Sequence, residues 1–480
     1  MKNKPRDWRD EYIAKLEANN KALRTRVVVL ESQLADALER IETLEHQLGL
    51  NSQNSSKPPS SDNEKARKGR KKGKKSGRSQ GGQPGHEGHC RELRPEEEVD
   101  HFQPHYPANC GDCGLELSPE HASGPPLRHQ VFELVLQPVE CTEHQAFRCQ
   151  CPGCGKETRA QLPAHIAISG WGPRLTALGG TLSAVARNSR RLVDWFISEV
   201  LGAPSSLGTV QNRLLEVSTS LTPGFEQVTA ALLEAPVVGA DETGWRLGTH
   251  PHWIWGLETE GMALYLIRRR RTKQVAREII GEPGERIFTT DRYGAYSFLP
   301  ASQRQICHAH LLREFTSMAS RDGPVGKIGE KLEALSREFQ TQWMRVKTQE
   351  RERADFVAWV RTSVRPKWER LLKKADGLGK TAPPMVRWLL KKEHLELAWT
   401  FLEHEGVEPT NNGAERALRG PVIQRKLSWG SQSQEGLRLM ERLWTVAETC
   451  CRQGRNVLDY MTEAIQASRC GAPAPVLRPA

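Results

Sequence analysis

Three carboxylates stand in sequence contexts suited to metal binding. Asp241 (PVVGADETGW) and Asp291 (ERIFTTDRYGAY) each end an apolar, β-branched run, whereas Glu415 lies in the polar, helix-compatible segment PTNNGAERALRG. Magnesium takes oxygen ligands, and two such ions about 3.5–4 Å apart stabilise the attacking and leaving oxygens of a phosphodiester displacement. Together the acids predict a two-metal phosphoryl-transfer site, although each acid alone has a simpler interpretation as a strand or helix cap.

The elements around these acids predict how they meet. Residues 232–306 predict strands in APVVGAD, HWIWGLET, MALYLIRRR, ERIFTTD and RQICHAH, with the helix TKQVAREIIG before the fourth strand. This is the order of a ribonuclease-H-like domain, in which the first and fourth strands are neighbours. We therefore expect Asp241 and Asp291 to end adjacent strands.

The third acid follows a long helical stretch. Residues 325–403 predict charged helices, which we interpret as an insertion that brings the Glu415 helix back against the sheet. Beyond Glu415, the segment GPVIQRKLSWGS is predicted to be a basic strand or loop, followed by two helices. The predicted fold class is therefore multidomain α/β, with a helical insertion in the catalytic domain.

Two cysteine pairs have the spacing of a zinc site. Of eleven cysteines, four form the Gly-containing knuckles Cys110-x2-Cys113 and Cys151-x2-Cys154. A structural zinc ion needs four such ligands, and cysteines in a cytosolic protein favour metal binding over disulfides. Cys149 stands beside the second pair and is an alternative ligand. The apolar alternation of HQVFELVLQPVECTEH predicts a strand pair between the knuckles.

Positive charge is concentrated in one block. The net charge is +11, and the segment KARKGRKKGKKSGR over residues 65–78 holds nine Lys or Arg and no acid. Such a block does not fold alone, because like charges repel and nothing apolar is buried. Contact with nucleic-acid phosphate is favoured over a purely solubilising linker. The predicted DNA-binding residues here are Lys68, Arg70, Lys71, Lys72, Lys74 and Lys75.

Two helical regions predict assembly and DNA recognition. Residues 9–49 carry a heptad repeat that predicts a coiled coil and self-association; the alternative is a single amphipathic helix packed on the protein's own core. Residues 166–225 contain two helices separated by a Gly-Ala-Pro break, with Ser206 as the cap of the second. This pattern is typical of a helix-turn-helix that places its second helix in the major groove, and equally of a plain helical hairpin.

The chain has no apolar run of the roughly 18 residues needed for a membrane span, and its first residues lack the apolar core of a secretion signal. We therefore expect a cytoplasmic protein that associates with the nucleoid when it is bound to DNA.

Seven sequence blocks, in order, resemble the transposases of the bacterial insertion sequence sixty-six family, the large TnpC-type protein. They are NSSKPPSSD, GGQPGHEGH, the paired knuckles, ADETGW, TTDRYGAY, CHAHLLREF and TNNGAERALR. The resemblance covers nearly the whole chain. It implies a DDE transposase with a ribonuclease-H-like catalytic domain and two magnesium ions, which cleaves element ends and transfers the strands to target DNA.

The resemblance also implies roles for particular residues. The catalytic, magnesium-binding triad would be Asp241, Asp291 and Glu415. Arg313, in CHAHLLREF, would contact phosphate, and Cys307 with His310 would form a Cys-x2-His pair. Further predicted DNA contacts are Arg416 and Arg419, the latter alternatively orienting Glu415 from one helical turn away. Partners would be DNA, further copies of the chain, and small accessory proteins encoded by the same element.

The predicted organisation has seven parts. They are a coiled coil (9–49), a disordered basic linker (50–99), a zinc-binding module (100–165), a helix-turn-helix-like region (166–225), the first part of the catalytic domain (232–324), the helical insertion (325–403), and the second part with the C-terminal helices (404–466). Two other functions fit the same residues: a catalytically silent DNA-binding protein derived from a transposase, and a structure-selective two-metal nuclease.

Overall fold

The computed structural model describes residues 171–477 as a continuous run. Before them it describes 15–17, 19–31, 33–34 and scattered stretches between 93 and 170. Several predictions therefore fall outside the described residues. These are the basic block with Lys68, Arg70, Lys71, Lys72, Lys74 and Lys75, most of the strand pair expected between the knuckles, and the zinc ligands Cys110 and Cys151.

The described part of the heptad region is helical and solvent-exposed. Its large seam side chains are Leu16, Leu23, Val27, Leu30 and Leu34, each at least half exposed. Further along, two short antiparallel strands, β1 (Arg148–Gln150) and β2 (Glu157–Arg159), frame the second knuckle. The coiled coil and the zinc module remain predictions.

A mixed five-stranded sheet forms the centre of the continuous part. Its strands are β3 (Val237–Leu247), β4 (His250–Glu258), β5 (Ala263–Arg268), β6 (Ile287–Thr290) and β7 (Arg304–Ile306). They are arranged in the order β5-β4-β3-β6-β7. The first three strands are antiparallel, whereas β6 and β7 extend the sheet in parallel from β3. All five predicted strands are present, and β3 and β6 are neighbours as expected.

The first strand is longer than predicted. Asp241 was expected to end it, but β3 continues to Leu247 and pairs with β4 along this whole extension. An aspartate after an apolar run is a common strand-ending turn residue, whereas here the cross-strand partners on β4 keep the backbone extended. Asp241 therefore lies in the middle of a paired strand, while Asp291 directly follows β6 as predicted.

Beyond the heptad region, fifteen α-helices are present in the described residues. They are α1 (Ala164–Ala167), α2 (Pro173–Ala184), α3 (Arg190–Trp195), α4 (Leu207–Ser220), α5 (Thr222–Glu234), α6 (Lys273–Ile280), α7 (His308–Ala319), α8 (Gly323–Lys347), α9 (Arg353–Trp359), α10 (Arg365–Asp376), α11 (Pro384–Leu389), α12 (Lys392–Glu396), α13 (Asn412–Ser428), α14 (Gln434–Arg452) and α15 (Val457–Cys470). None of those described is long and apolar enough to cross a lipid bilayer.

The predicted helix pair before the sheet is present. After α3 a π-helical turn runs to Val200, and α4 begins behind Ser206, whose hydroxyl accepts a hydrogen bond from the Thr209 amide at 3.1 Å. This side-chain cap satisfies one of the amides that a helix start leaves unpaired. The cap is confirmed, and the use of α4 in the major groove stays a prediction.

The stretch predicted as a helical insertion has an aromatic core of its own. Helices α8 to α12 surround Phe339, Trp368, Trp399 and Phe401. The imidazole of His308, at the start of α7, stacks on Phe339 with 4.5 Å between ring centroids. Because α7 directly follows β7, this cluster joins helices α8 to α12 to the end of the sheet.

The segment after Glu415 was predicted as a basic strand or loop, and this was wrong. It belongs to α13, which continues through Gly420 and Pro421 to Ser428. Proline inside a helix removes one hydrogen bond, so Pro421 disfavours a continuous helix here. Burial of Ala417 and Leu418 against the sheet overrides that local preference. The two helices predicted to follow are α14 and α15.

Helix α14 covers the edge of the sheet at β5. Its Thr445 and Thr449 hydroxyls accept hydrogen bonds from the Tyr265 and Ala263 amides at 3.0 and 3.2 Å, and Glu441 accepts from Ile267 in the same way. An open edge would offer these amides to another strand. The side chains, spaced one helical turn apart, satisfy them instead.

Candidate active site

The sheet brings two of the predicted acids together. In the parallel pairing of β3 and β6, Gly239 lies opposite Thr289, which places Asp241 beside Asp291. Carboxylate oxygens of Asp241, Asp291 and Glu242 lie within 4.8 Å of one another. Asp291 is further oriented by the Tyr293 amide, which donates to its Oδ1 at 2.8 Å.

Glu242 is a member of this cluster that the sequence reasoning missed. Its carboxylate is buried, accepts a hydrogen bond from the Tyr296 hydroxyl, and pairs with Arg271, whose Nε lies 2.6 Å from Oε1. The Arg271 guanidinium also lies over the Tyr293 ring, 3.6 Å from its centroid. The only signal was the Asp-Glu dipeptide, and alternation along a strand assigns such neighbours to opposite faces.

Helix α13 holds the third acid close to the sheet. Asn411 precedes its first turn and donates from Nδ2 to the carbonyl of Ala240, the residue before Asp241, at 2.8 Å. The Asn411 amide donates to the Cys307 thiol at 3.2 Å. These two bonds tie the start of the helix to β3 and to the end of β7, and so place Glu415 in its first turn.

The Glu415 carboxylate has neighbours from α7. Its Oε2 lies 3.4 Å from Nη2 of Arg313, and its Oε1 lies 3.4 Å from Nδ1 of His310. The Cys307 sulfur, a His310 ring nitrogen and a Glu415 oxygen all lie within 4.8 Å of one another. Arg313 therefore contacts one of the three predicted acids. Among the described residues, the arginine that pairs with this carboxylate is Arg313. Arg416 and Arg419 are exposed on α13.

Electrostatic strain is concentrated at these acids. Burial raises the pKa of Asp241 well above its ordinary value, and the charges of Glu242, Asp291 and Glu415 raise it further. Burial, and then the charge of Asp291, also raises the pKa of Glu242 despite its pairing with Arg271. A buried group of like charges is costly unless cations compensate it. The cluster thus has the electrostatic character of a cation site.

The donor set fits a hard divalent ion. Asp241 and Asp291 offer carboxylate oxygens, the ligand type that magnesium prefers. Among the described residues, the buried Oε1 of Glu415 has no hydrogen-bond partner. An orphaned buried carboxylate oxygen is unfavourable, and a bound cation would satisfy it.

Arg304 supports the site without having been predicted. Its buried guanidinium donates to the Thr290 hydroxyl at 2.9 Å and to the carbonyls of Asp291 and Tyr293 at 2.8 and 3.2 Å. It thereby fixes the backbone that carries Asp291. An arginine in a short strand resembles a solvent-facing residue, so the sequence carried no signal for this role.

The predicted zinc site is described only in part. Cys113 and Cys154, one from each knuckle, are exposed thiols, while their partners Cys110 and Cys151 lie outside the described residues. Zinc binding by the four cysteines remains a prediction.

Removing one charge should stabilise the metal-free fold. We expect Asp241→Asn to raise the melting temperature at neutral pH in a chelator by on the order of 2 °C. Folding raises the pKa of the Asp241 carboxyl, so the protonated carboxyl favours the folded state. The stability that it contributes is fully present below its unfolded pKa and is lost as the pH rises through its folded pKa. The gain should therefore vanish towards about pH 4. Thermal melts between acidic and neutral pH measure this.

The matched control is Glu260→Gln, which neutralises an exposed carboxylate between β4 and β5. It should leave the melting temperature unchanged over the same range. A neutral-pH melting temperature of Asp241→Asn at or below that of the wild type would contradict the expected cost of the buried charge.

Comparison with known proteins adds a family match. Residues 191–439 match a family model described as transposase IS66 family, and residues 3–92 match a family of unknown function. The uncharacterized protein y4qI of Sinorhizobium fredii (strain NBRC 101917 / NGR234) is 28% identical over 217 residues, which cover 42% of this chain and 39% of that protein. The aligned region thus spans less than half of that relative. The range matched by the transposase family contains all three acids.

Proposed function

Because the chain belongs to the transposase IS66 family, we propose that it is a DDE transposase that cuts the ends of an insertion sequence and joins them to target DNA. The pairing of Asp241 on β3 with Asp291 after β6 carries the proposal. Glu415, in the first turn of α13, lies beside Cys307 and His310 instead, but its charge is near enough to raise the pKa of Asp241. The strand order β5-β4-β3-β6-β7, with three antiparallel strands extended by two parallel ones, supports a ribonuclease-H-like catalytic domain.

The family suggests the use of divalent metal, and the three acids would hold magnesium. When bound, such ions activate water or a 3′ hydroxyl and stabilise the leaving oxygen. Arg313 holds one oxygen of Glu415 from α7, while the other lies 3.4 Å from Nδ1 of His310 and accepts no hydrogen bond from any described residue. Arg304 fixes the backbone at Asp291. Arg271 balances the charge of Glu242, so that this acid supports the site electrostatically.

Several parts of the chain would bind DNA in this proposal. The basic block of residues 65–78 would contact phosphates, as would Arg313 and the exposed Arg416 and Arg419 on α13. Helix α4 would enter the major groove, and zinc on the four cysteines would stabilise the module between them. Small accessory proteins of the same element are further proposed partners.

A cleavage assay tests the proposal. Full-length protein and magnesium are incubated with DNA carrying the inverted repeats that flank the gene, and with DNA whose repeat sequence has been permuted. We expect nicking and joining only at the intact repeats. Cleavage of branched DNA regardless of the repeat would instead identify a structure-selective nuclease, and binding without cleavage would identify a silent DNA-binding protein.

The N-terminal helix should control assembly. We expect Leu23→Glu to lower the mass of the full-length oligomer, because a charge at a heptad seam must be buried when two helices pair. Val28→Glu is the control, since Val28 is also exposed but lies off the seam. Light scattering measures both masses. Equal masses for the two variants would argue against a coiled-coil interface.

A further inference from the structure

An exposed tryptophan stands at the end of the helix that carries Glu415. Trp429 is 77% exposed and adopts a left-handed backbone conformation, with φ of 62°. Its amide closes α13 by donating to the Arg425 carbonyl at 3.0 Å. Bulky residues rarely adopt this conformation, and such outliers concentrate at functional sites. A large exposed ring at this position therefore indicates contact with a ligand rather than a contribution to the folded core.

The backbone beneath this ring is firmly held. Gly430 has a φ of 125°, and a Cβ atom there would lie 2.5 Å from the Arg246 carbonyl oxygen. The Ser431 amide donates to that same oxygen at 2.9 Å, and the Ser431 carbonyl accepts from the Gly248 amide at 2.8 Å. The turn is thus hydrogen-bonded to the end of β3, so the backbone that carries Trp429 is held in place. A preorganised ring loses little freedom when it binds a ligand.

The surface leading to the ring is basic. Residues 416–434 contain four Lys or Arg and no Asp or Glu. Exposed side chains recur along one face of α13 at helical spacing, namely Asn412, Arg416, Arg419, Ile423 and Lys426. This face runs from the turn that holds Glu415 to Trp429. Its charge is complementary to a chain of phosphates.

We propose that Trp429 stacks on a nucleobase of an unpaired DNA strand whose phosphates follow the basic face of α13. A base inside a duplex is already stacked on both faces, and inserting a ring between paired bases costs a few kcal/mol of unstacking, whereas an unpaired base offers its face at little cost. From Glu415 to Trp429 the helix rises about 21 Å, which is about six nucleotides at the roughly 3.4 Å spacing of a stacked strand and fewer if the strand is extended. The stacked base would therefore lie within about six nucleotides of the phosphodiester that is cut.

This inference rests on the proposed function for the identity of the DNA, but its test does not require the element's own sequence. Stacking on an aromatic ring tolerates any base, and adds about 1–3 kcal/mol per base. We would measure binding of the full-length protein, in a chelator, to a blunt duplex and to the same duplex with an extension of about ten deoxythymidines.

The wild type should prefer the extended duplex, and Trp429→Ala should lose that preference by about 5- to 150-fold. Trp429→Phe keeps an aromatic ring and should retain most of the preference for the extended duplex. Trp429→Leu is apolar but not aromatic, and it should lose that preference. A 2-aminopurine in the extension should be quenched by the wild type and not by Trp429→Ala. The control Met344→Ala removes another exposed apolar side chain, on α8, and should behave as the wild type.

Two results would overturn the inference. One is an unchanged preference in both Trp429→Ala and Trp429→Leu; the other is an equal loss of affinity for the blunt and extended duplexes, which would make the ring a general duplex contact. Because binding is measured without metal, the outcome is independent of cleavage. Failed cleavage with intact stacking would reject the proposed function, and intact cleavage without stacking would reject only this inference.

Discussion

Asp291→Asn is expected to lower both end cleavage and strand joining by at least on the order of 10⁴-fold, the loss seen when one member of a cooperating catalytic set is removed. The amide preserves the size of the side chain and an oxygen for the bond from the Tyr293 amide. What it removes is the negative charge that Asp291 and Asp241 together offer to a divalent ion. Gel assays of cleaved and joined DNA in magnesium measure the effect.

DNA binding should survive this substitution, because the predicted DNA contacts lie on other residues. Asp376→Asn, at an exposed position at the end of α10, is the matched control and should cleave at the wild-type rate. Wild-type cleavage by Asp291→Asn would remove Asp291 from the catalytic set. Lost binding alongside lost cleavage would indicate damage to the fold instead.

Trp399→Ala is expected to lower the free energy of unfolding by about 3–5 kcal/mol. The indole is buried, with ring centroids 5.2 Å from His308 and 5.1 Å from Trp368. The chain beside it also supports the sheet edge, because the Leu397 carbonyl accepts from the Ile306 amide at 2.8 Å. The cavity would therefore weaken the junction between the inserted helices and β7. Urea unfolding measures the change.

The control for this substitution is Trp429→Ala, which removes the same side chain from an exposed position. Surface changes of this kind usually alter the free energy of unfolding by less than about 0.5 kcal/mol. Similar small effects for both variants would show that the aromatic cluster does not hold the inserted helices to the sheet.

Predictions from the sequence succeeded where a local pattern was sufficient. Short apolar runs predicted all five strands, and helical periodicity predicted the helices between β7 and α13. Ser206 was predicted as a cap because a hydroxyl before a helical run satisfies a free amide. The three acids were selected by their neighbouring segments: Asp241 and Asp291 follow apolar runs, and Glu415 lies in a helix-compatible segment.

Predictions failed where distant contacts outweighed local preference. Asp241 was expected to end its strand, but the pairing of β3 with β4 extends the strand beyond it. The segment GPVIQRKLSWGS was expected to be a strand or loop, but the packing of α13 on the sheet keeps it helical as far as Ser428. In both segments, burial against a remote partner supplies more free energy than the local preference costs.

Most strands and helices, and the three candidate acids, could be identified from the sequence, because they follow from residue type and short-range periodicity. Which side chains meet is a property of the folded chain. The fold placed Glu242 with Arg271, held Glu415 against His310 and Arg313, and set Trp429 on the end of β3. Such contacts join residues far apart in the chain, and their free energies depend on burial and distance, which no local pattern specifies.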